Sequence, residues 1–149
     1  MSHFSPRDPD WSRRVSESFH GQGFMGHIGA MLVESRPGHC EIRLPYRPEV
    51  SQHHGFFHGG VIGTLADNAG GFAGGSLLAP GFEVLTVEYK LNIVSPGRGE
   101  SLLAVGHVVK NGRTLIITRA DVFAERDGQR HLCAIAQQTL MAVEASRTA

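Results

Sequence analysis

One stretch, HHGFFHGGVIGTLADNAGGFAGGSLL at residues 53–78, constrains the fold of this chain more than any other. Wound as a helix from about Gly60 at about 100° per residue, it sorts into two unlike faces. Val61, Ile62, Leu65, Ala69, Phe72 and Ala73 fall on one side and suit a core. Gly60, Gly63, Gly70, Gly71 and Gly74 fall on the other, near the radial direction of Asp67. Each mid-helix glycine costs roughly 1 kcal/mol relative to alanine, so this helix needs support from what packs on it. Glycines on one face let a second backbone or a ligand come close, and one carboxylate points into that gap. The helix opens at His58-Gly59-Gly60, so its unpaired N–H groups and positive dipole end suit an anion or a developing oxyanion.

A chain of 149 residues is one domain, 1–149, able to bury a core of its own. Fourteen Lys plus Arg balance fourteen Asp plus Glu, which removes the global basic field that nucleic-acid binding requires. No apolar run reaches membrane-spanning length, and MSHFSPRDPDW lacks the basic-then-apolar order of a signal peptide. A cytoplasmic protein without nucleic-acid or membrane partners is the expectation. Cys40 and Cys133 stand in no ligand spacing and read as small buried apolar residues. His53, His54 and His58 cluster before the helix, but no acidic partner completes a ligand set, so neither metal nor cofactor is expected.

Along the chain, Asp10 is placed to cap a short helix over 10–21 on which Trp11, Val15 and Phe19 recur. Residues 24–34 and 39–44 read as strands joined by a turn at Arg36-Pro37-Gly38. After the long helix, Leu85, Val87, Tyr89, Leu91 and Ile93 alternate with Thr86, Glu88, Lys90 and Asn92, a half-buried strand with Thr86 on its polar face. Residues 96–99 turn it into a strand over 102–110. Asn111-Gly112 and Asp127-Gly128 then join that strand to 114–125 and to 131–143, completing an antiparallel meander. One long helix between a hairpin and a meander of long strands is an α+β domain, a curved antiparallel sheet of about six strands wrapped on the helix. Its open strand edges call for dimerisation.

Gly55-Phe56-Phe57-His58-Gly59-Gly60, then Leu65-Ala66-Asp67-Asn68-Ala69, then Thr86, Val94-Ser95-Pro96 and Lys110-Asn111-Gly112-Arg113-Thr114 resemble the hotdog-fold acyl-CoA thioesterases, in particular the phenylacetate-pathway (PaaI-like) branch, over residues 24–143. The resemblance implies a homodimer, often a dimer of dimers, with active sites between subunits. It further implies that Asp67 activates water or attacks the thioester and that the Gly59 N–H holds the carbonyl oxygen. His58 would brace the turn, Gln52 stands where the family frequently places an Asn that positions water, and Thr86 matches a position where a hydroxyl assists. Gly60 and Asn68 are the accompanying substrate-binding candidates. Because coenzyme A carries phosphates, Arg98, Lys110 and Arg113, in what read as adjacent turns, are its candidate cations.

Thioester hydrolysis needs a base or nucleophile, a water and donors for the oxyanion, and a carboxylate opposite a helix N-terminus supplies the first and last. No GxSxG elbow is present. The competing readings are a hotdog hydratase or dehydratase acting on an acyl thioester, for which only His58 is at hand, and a non-catalytic acyl-CoA-binding protein.

Overall fold

The computed structural model describes residues 3–145. Helix α1 (Trp11–His20) buries Val15 and Phe19, as their spacing of four predicts. Asp10 stands at its N-cap position, but its side chain makes no capping bond and instead meets Arg13 at 3.3 Å. Residues 24–34 do not form one strand. Gly23–Ile28 is a second helix, α2, which buries Met25 and Ile28 three apart and ends at Gly29 with φ 82°. Strand β1 is therefore only Met31–Arg36, and it pairs through Pro37-Gly38 with β2 (His39–Pro45).

After a 3-10 turn at Pro48–Val50 comes the long helix α3 (Gly59–Gly75), followed by β3 (Phe82–Ile93), β4 (Ser101–Asn111), β5 (Leu115–Arg126) and β6 (Gln129–Glu144). The six strands form one sheet in the order β1-β2-β4-β5-β6-β3, antiparallel at every junction. The expected α+β architecture is present, with α3 seated on the sheet.

The meander is arranged differently from the sequence reading. β3 does not pair with β4; it lies at the far edge beside β6, and β4 lies beside β2. Residues 94–100 carry the chain back across the strand ends. Val94 and Ser95 N–H donate to the Cys133 carbonyl, Glu100 N–H donates to that of Glu125, and Tyr46 N–H donates to that of Glu100. Turn residues alone do not reveal such a crossing, because Pro and Gly mark where a strand ends and not which strand receives the next one.

The glycines of α3 serve packing first. Added Cβ atoms would strike the Gln138 side chain and Thr118 Oγ1 at Gly70, and Leu140 at Gly74. The sheet answers with Gly106 on β4, where a Cβ would lie 2.3 Å from the Ala69 carbonyl. Helix and sheet thus meet backbone to backbone, and Val61, Ile62, Leu65, Ala69 and Ala73 are buried with Ile42, Leu44, Leu102, Ile116 and Leu140. Gly71 is different: nothing lies within 4 Å of its added Cβ.

On the outer face Glu125 of β5 accepts from Arg43 of β2 at 2.8 and 3.2 Å, from Ser101 of β4 at 2.7 Å and from Arg130 of β6 at 3.3 Å. The Arg43 hydrogen bonds, helped by Ser101 and by the charges of Arg43 and Arg130, outweigh burial and hold its carboxyl down at about 2.

Two measurements check this account. Gly106→Ala is expected to destabilise the fold by about 1–3 kcal/mol through overpacking against backbone, whereas Gly71→Ala is expected to stabilise it by about 0.5–1 kcal/mol; urea unfolding of both gives the signs. For Glu125 the folded pKa lies below the unfolded value of about 4.3, so its contribution is complete above that value and disappears as pH falls toward about 2. Glu125→Gln is therefore expected to lower stability at pH 7 and to flatten its acid dependence between those limits.

Candidate active site

Edge strand β3 runs alongside α3 in the opposite direction, and contacts recur every fourth helix residue. An added Cβ at Gly59 would meet Ile93, one at Gly63 would meet the Tyr89 hydroxyl and Leu91, and one at Gly75 would approach Val84. Asp67 falls in the same row. A β-bulge between Thr86 and Glu88 shifts the pairing with β6, so Thr86 shares the helix-facing side with Tyr89, Leu91 and Ile93. The strict alternation that put Thr86 on the opposite, polar face is thereby corrected.

Thr86 Oγ1 donates to Asp67 Oδ1 at 2.7 Å. Gln138 Nε2, from β6, donates to the same Oδ1 at 2.8 Å and to the Asp67 carbonyl oxygen at 3.0 Å. Gln138 is itself buried, and its Oε1 accepts from the buried Thr118 hydroxyl at 3.1 Å. One carboxylate oxygen is thus fixed by two donors from two strands. Oδ2 accepts no hydrogen bond among the described residues and is available to a water or a reacting carbon.

A cavity of about 280 Å³ opens beside this carboxylate, lined by Val15, Asn68, Gly71, Phe72, Leu78 and Thr86 among others. Its outer wall is α1, tied down by Arg14, which donates to Asp8 Oδ2 at 2.9 Å and to the Leu78 and Phe82 carbonyls at 3.1 and 3.2 Å. Asn68 lines the cavity while its Nδ2 donates to the Thr64 carbonyl at 3.3 Å.

The other end of α3 has its own geometry. His58 is the N-cap; its Nδ1 accepts from Gly60 N–H at 2.8 Å, and its carbonyl accepts from Val61 and Ile62. Gly60 N–H is therefore occupied, and Gly59 N–H is left without an acceptor among the described residues. Gly59, Ile62, Ile93, Gln52 and Phe56 border a second cavity of about 500 Å³. Gln52 Oε1 accepts from His54 N–H and from Phe56 N–H, so it shapes the loop before the helix; its Nε2 makes no hydrogen bond among the described residues.

The candidate cations do not gather. Arg98 precedes β4 and lies over Phe56, its guanidinium carbon 5.8 Å from the ring centroid. Lys110 and Arg113 lie at the other end of that strand, about 30 Å away at 3.3 Å per residue. These turns are opposite ends of the sheet and not neighbours.

Burial pushes the Cys40 thiol up to about 12 and the Cys133 thiol up to about 11, so neither is a thiolate at neutral pH. Among the described residues, three potential metal ligands converge only at Glu34, His39 and Glu41 on the β1–β2 hairpin. There Glu34 pairs with Arg36 at 2.7 Å and His39 bonds Glu41 at 3.1 Å.

Sequence reasoning missed Gln138. Its signal was a lone amide in the buried register of β6, between Ala134, Ala136 and Leu140; a buried polar side chain in an apolar row needs a specific partner.

The family model for the thioesterase superfamily matches residues 54–130. Human acyl-coenzyme A thioesterase 13 is 32% identical over 104 residues, covering 66% of this chain and 70% of the relative. Among solved structures, a thioesterase family protein from Silicibacter pomeroyi is 38% identical with a TM-score of 0.89, covering 91% of this chain and 99% of the other. The E. coli PaaI protein shares the fold, with a TM-score of 0.82 at 15% identity, covering 94% and 98%.

Gln138→Leu is expected to destabilise the protein by about 1–3 kcal/mol, because it takes the acceptor from the buried Thr118 hydroxyl and one of two donors from the Asp67 carboxylate. Denaturant unfolding beside wild type measures it.

Proposed function

The chain belongs to the thioesterase superfamily and is a thioester hydrolase, and on that premise we propose that it cleaves acyl-CoA to a free acid and coenzyme A at a site shared between two copies, with Asp67 of one subunit acting on a carbonyl held by Gly59 N–H of the other. The observation that carries this reading is the separation of the two groups in one chain. Eight residues of α3, about 12 Å, lie between Gly59 and Asp67, and each opens on its own cavity.

A second copy resolves the separation. β3 is an open edge whose Leu85, Val87, Tyr89 and Ile93 are 60, 58, 45 and 49% exposed, an apolar edge that favours strand pairing. Antiparallel pairing of two β3 edges centred near Tyr89 and Lys90 sets Thr86 of one subunit across from Ile93 of the partner subunit. Thr86 holds Asp67, and Ile93 lies under Gly59. The pairing therefore brings the carboxylate of one subunit toward the free amide of the other.

In the chemical step, Asp67 Oδ2 takes a proton from a water that attacks the thioester carbonyl, or adds to that carbonyl itself, while Thr86 and Gln138 hold the carboxylate in place. Charge develops on the carbonyl oxygen, where Gly59 N–H and the positive end of α3 stabilise it. Collapse of the tetrahedral intermediate expels the CoA thiolate, leaving the free acid where water attacked, or an Asp67 anhydride that a water then hydrolyses to the free acid where the carboxylate attacked. Cysteine chemistry is disfavoured by the two raised thiol pKa values. The hydratase alternative would need His58, whose Nδ1 is already the acceptor for Gly60 N–H. Acyl-CoA is proposed as substrate because the human relative carries that name.

Asp67→Asn is expected to lower thiol release from a panel of acyl-CoAs by about 10²–10⁴-fold, the usual contribution of a positioned base; rates equal to wild type would remove Asp67 from the mechanism. Loss of enoyl-CoA absorbance without thiol release would instead establish hydration.

A further inference from the structure

The loop that leads into α3 is held unusually firmly for an exposed segment. Gln52 N–H donates to the Phe56 carbonyl and Gly55 N–H to the Gln52 carbonyl, both at 2.9 Å, and the Gln52 side chain accepts from two further amides. Ser51 and Phe57 close it as an isolated bridge, and Phe57 N–H donates to the Gly97 carbonyl at 2.8 Å. Gly55, at φ 80°, makes the bend.

This rigid loop displays a row of flat groups. The His53 and His54 rings lie 4.0 Å apart at 43°, His54 and Phe56 lie 6.4 Å apart at 35°, and Arg98 covers Phe56 at 5.8 Å. His53, His54 and Arg98 are exposed. The Arg98 side chain makes no hydrogen bond or ion pair among the described residues. A guanidinium held over a ring and free of hydrogen bonds keeps its N–H donors for a phosphate. Phe56 also borders the cavity beside Gly59, so the row begins at the mouth of the candidate active site.

We propose that this row is the nucleotide subsite for coenzyme A: the adenine lies against the His53 and His54 imidazoles, and Arg98, braced on Phe56, takes a phosphate of the 3′-phospho-ADP moiety. The proposal rests on the acyl-CoA reading above and adds to it the residues that grip the end of the substrate remote from the thioester. The chemistry is matched on each side. The nucleotide's purine offers a flat π-face to exposed rings, and its phosphates offer bidentate acceptors to a free guanidinium. The remaining candidates, Lys110 and Arg113, sit at the far end of β4, and among the described residues neither makes a cation–π contact.

The test compares substrates with and without the nucleotide. Kinetics are measured for wild type, His54→Ala and Arg98→Ala with an acyl-CoA and with the matching acyl-N-acetylcysteamine thioester, and binding of 3′-phospho-ADP is titrated calorimetrically. Each variant is expected to raise KM for the acyl-CoA and Kd for 3′-phospho-ADP by roughly tenfold, the loss typical of one stacking or phosphate contact, with the short thioester unaffected. Unchanged constants overturn the subsite, and so does equal loss on both substrates, which would mark a structural role for the loop. If wild type cleaves neither thioester the hydrolase reading fails, and the nucleotide titration still decides the subsite by itself.

Discussion

Everything in this structure depends on how closely α3 approaches the sheet. Gly70 and Gly74 on the helix and Gly106 on β4 remove the side chains that would hold the two layers apart, so backbone meets backbone. Only at that spacing can the Gln138 amide, rooted in β6, reach the Asp67 carbonyl and carboxylate together. The helical instability of so many glycines is offset by burial of the opposite apolar stripe and by hydrogen bonds that bind one polar side chain to two layers. The same approach leaves Gly71 with open space beside it, which becomes part of the cavity facing Asp67.

Local periodicity made much of this readable. The two-faced pattern of 53–78 identified α3 and its core side, and the Asp127-Gly128 turn, with φ of 52° and 73°, marks the β5–β6 hairpin as expected. Asn111-Gly112 marks its hairpin too, but by a different route: neither residue has positive φ, and Gly112 instead closes a longer loop by donating to the Leu115 carbonyl at 3.0 Å. What the sequence concealed was long-range. The placement of β3 at the edge follows from a connection across two strand ends, the bulge at Val87 reverses the face of Thr86, and α2 is a helix of only six residues. The glycine stripe was legible as a place of close approach, yet not as an approach mainly of the chain to itself. Asp67 and the His58-Gly59-Gly60 helix start were legible from the residues, while their catalytic roles and that of Thr86 came from the resemblance; the structure connects Asp67 to Thr86 and places Gly59 at the helix start beside a separate cavity.

On the proposed reading, that division makes Asp67 and Gly59 the two halves of a shared site. The carboxylate is fixed by the sheet that supports it, and the amide is presented by the helix start that His58 caps. An exposed apolar edge strand, β3, runs alongside both, and the proposed pairing of two such edges would exchange one half-site for the other. On that proposal catalytic geometry and association are aspects of one surface, and mutations along β3 would alter both.

The most direct measurement of that claim is subunit complementation. Gly59→Pro deletes the proposed oxyanion donor at the first helical position, where proline is tolerated, and His58 already has the extended backbone, φ −63° and ψ 137°, that a residue before proline adopts. Each of Gly59→Pro and Asp67→Asn alone should be inactive. Unfolded and refolded together, they should recover about a quarter of wild-type thiol release, since half of randomly paired dimers would be mixed and each would hold one intact site of two. A mixture as inactive as its components, with mixed dimers verified by mass, would contradict a site built from both subunits.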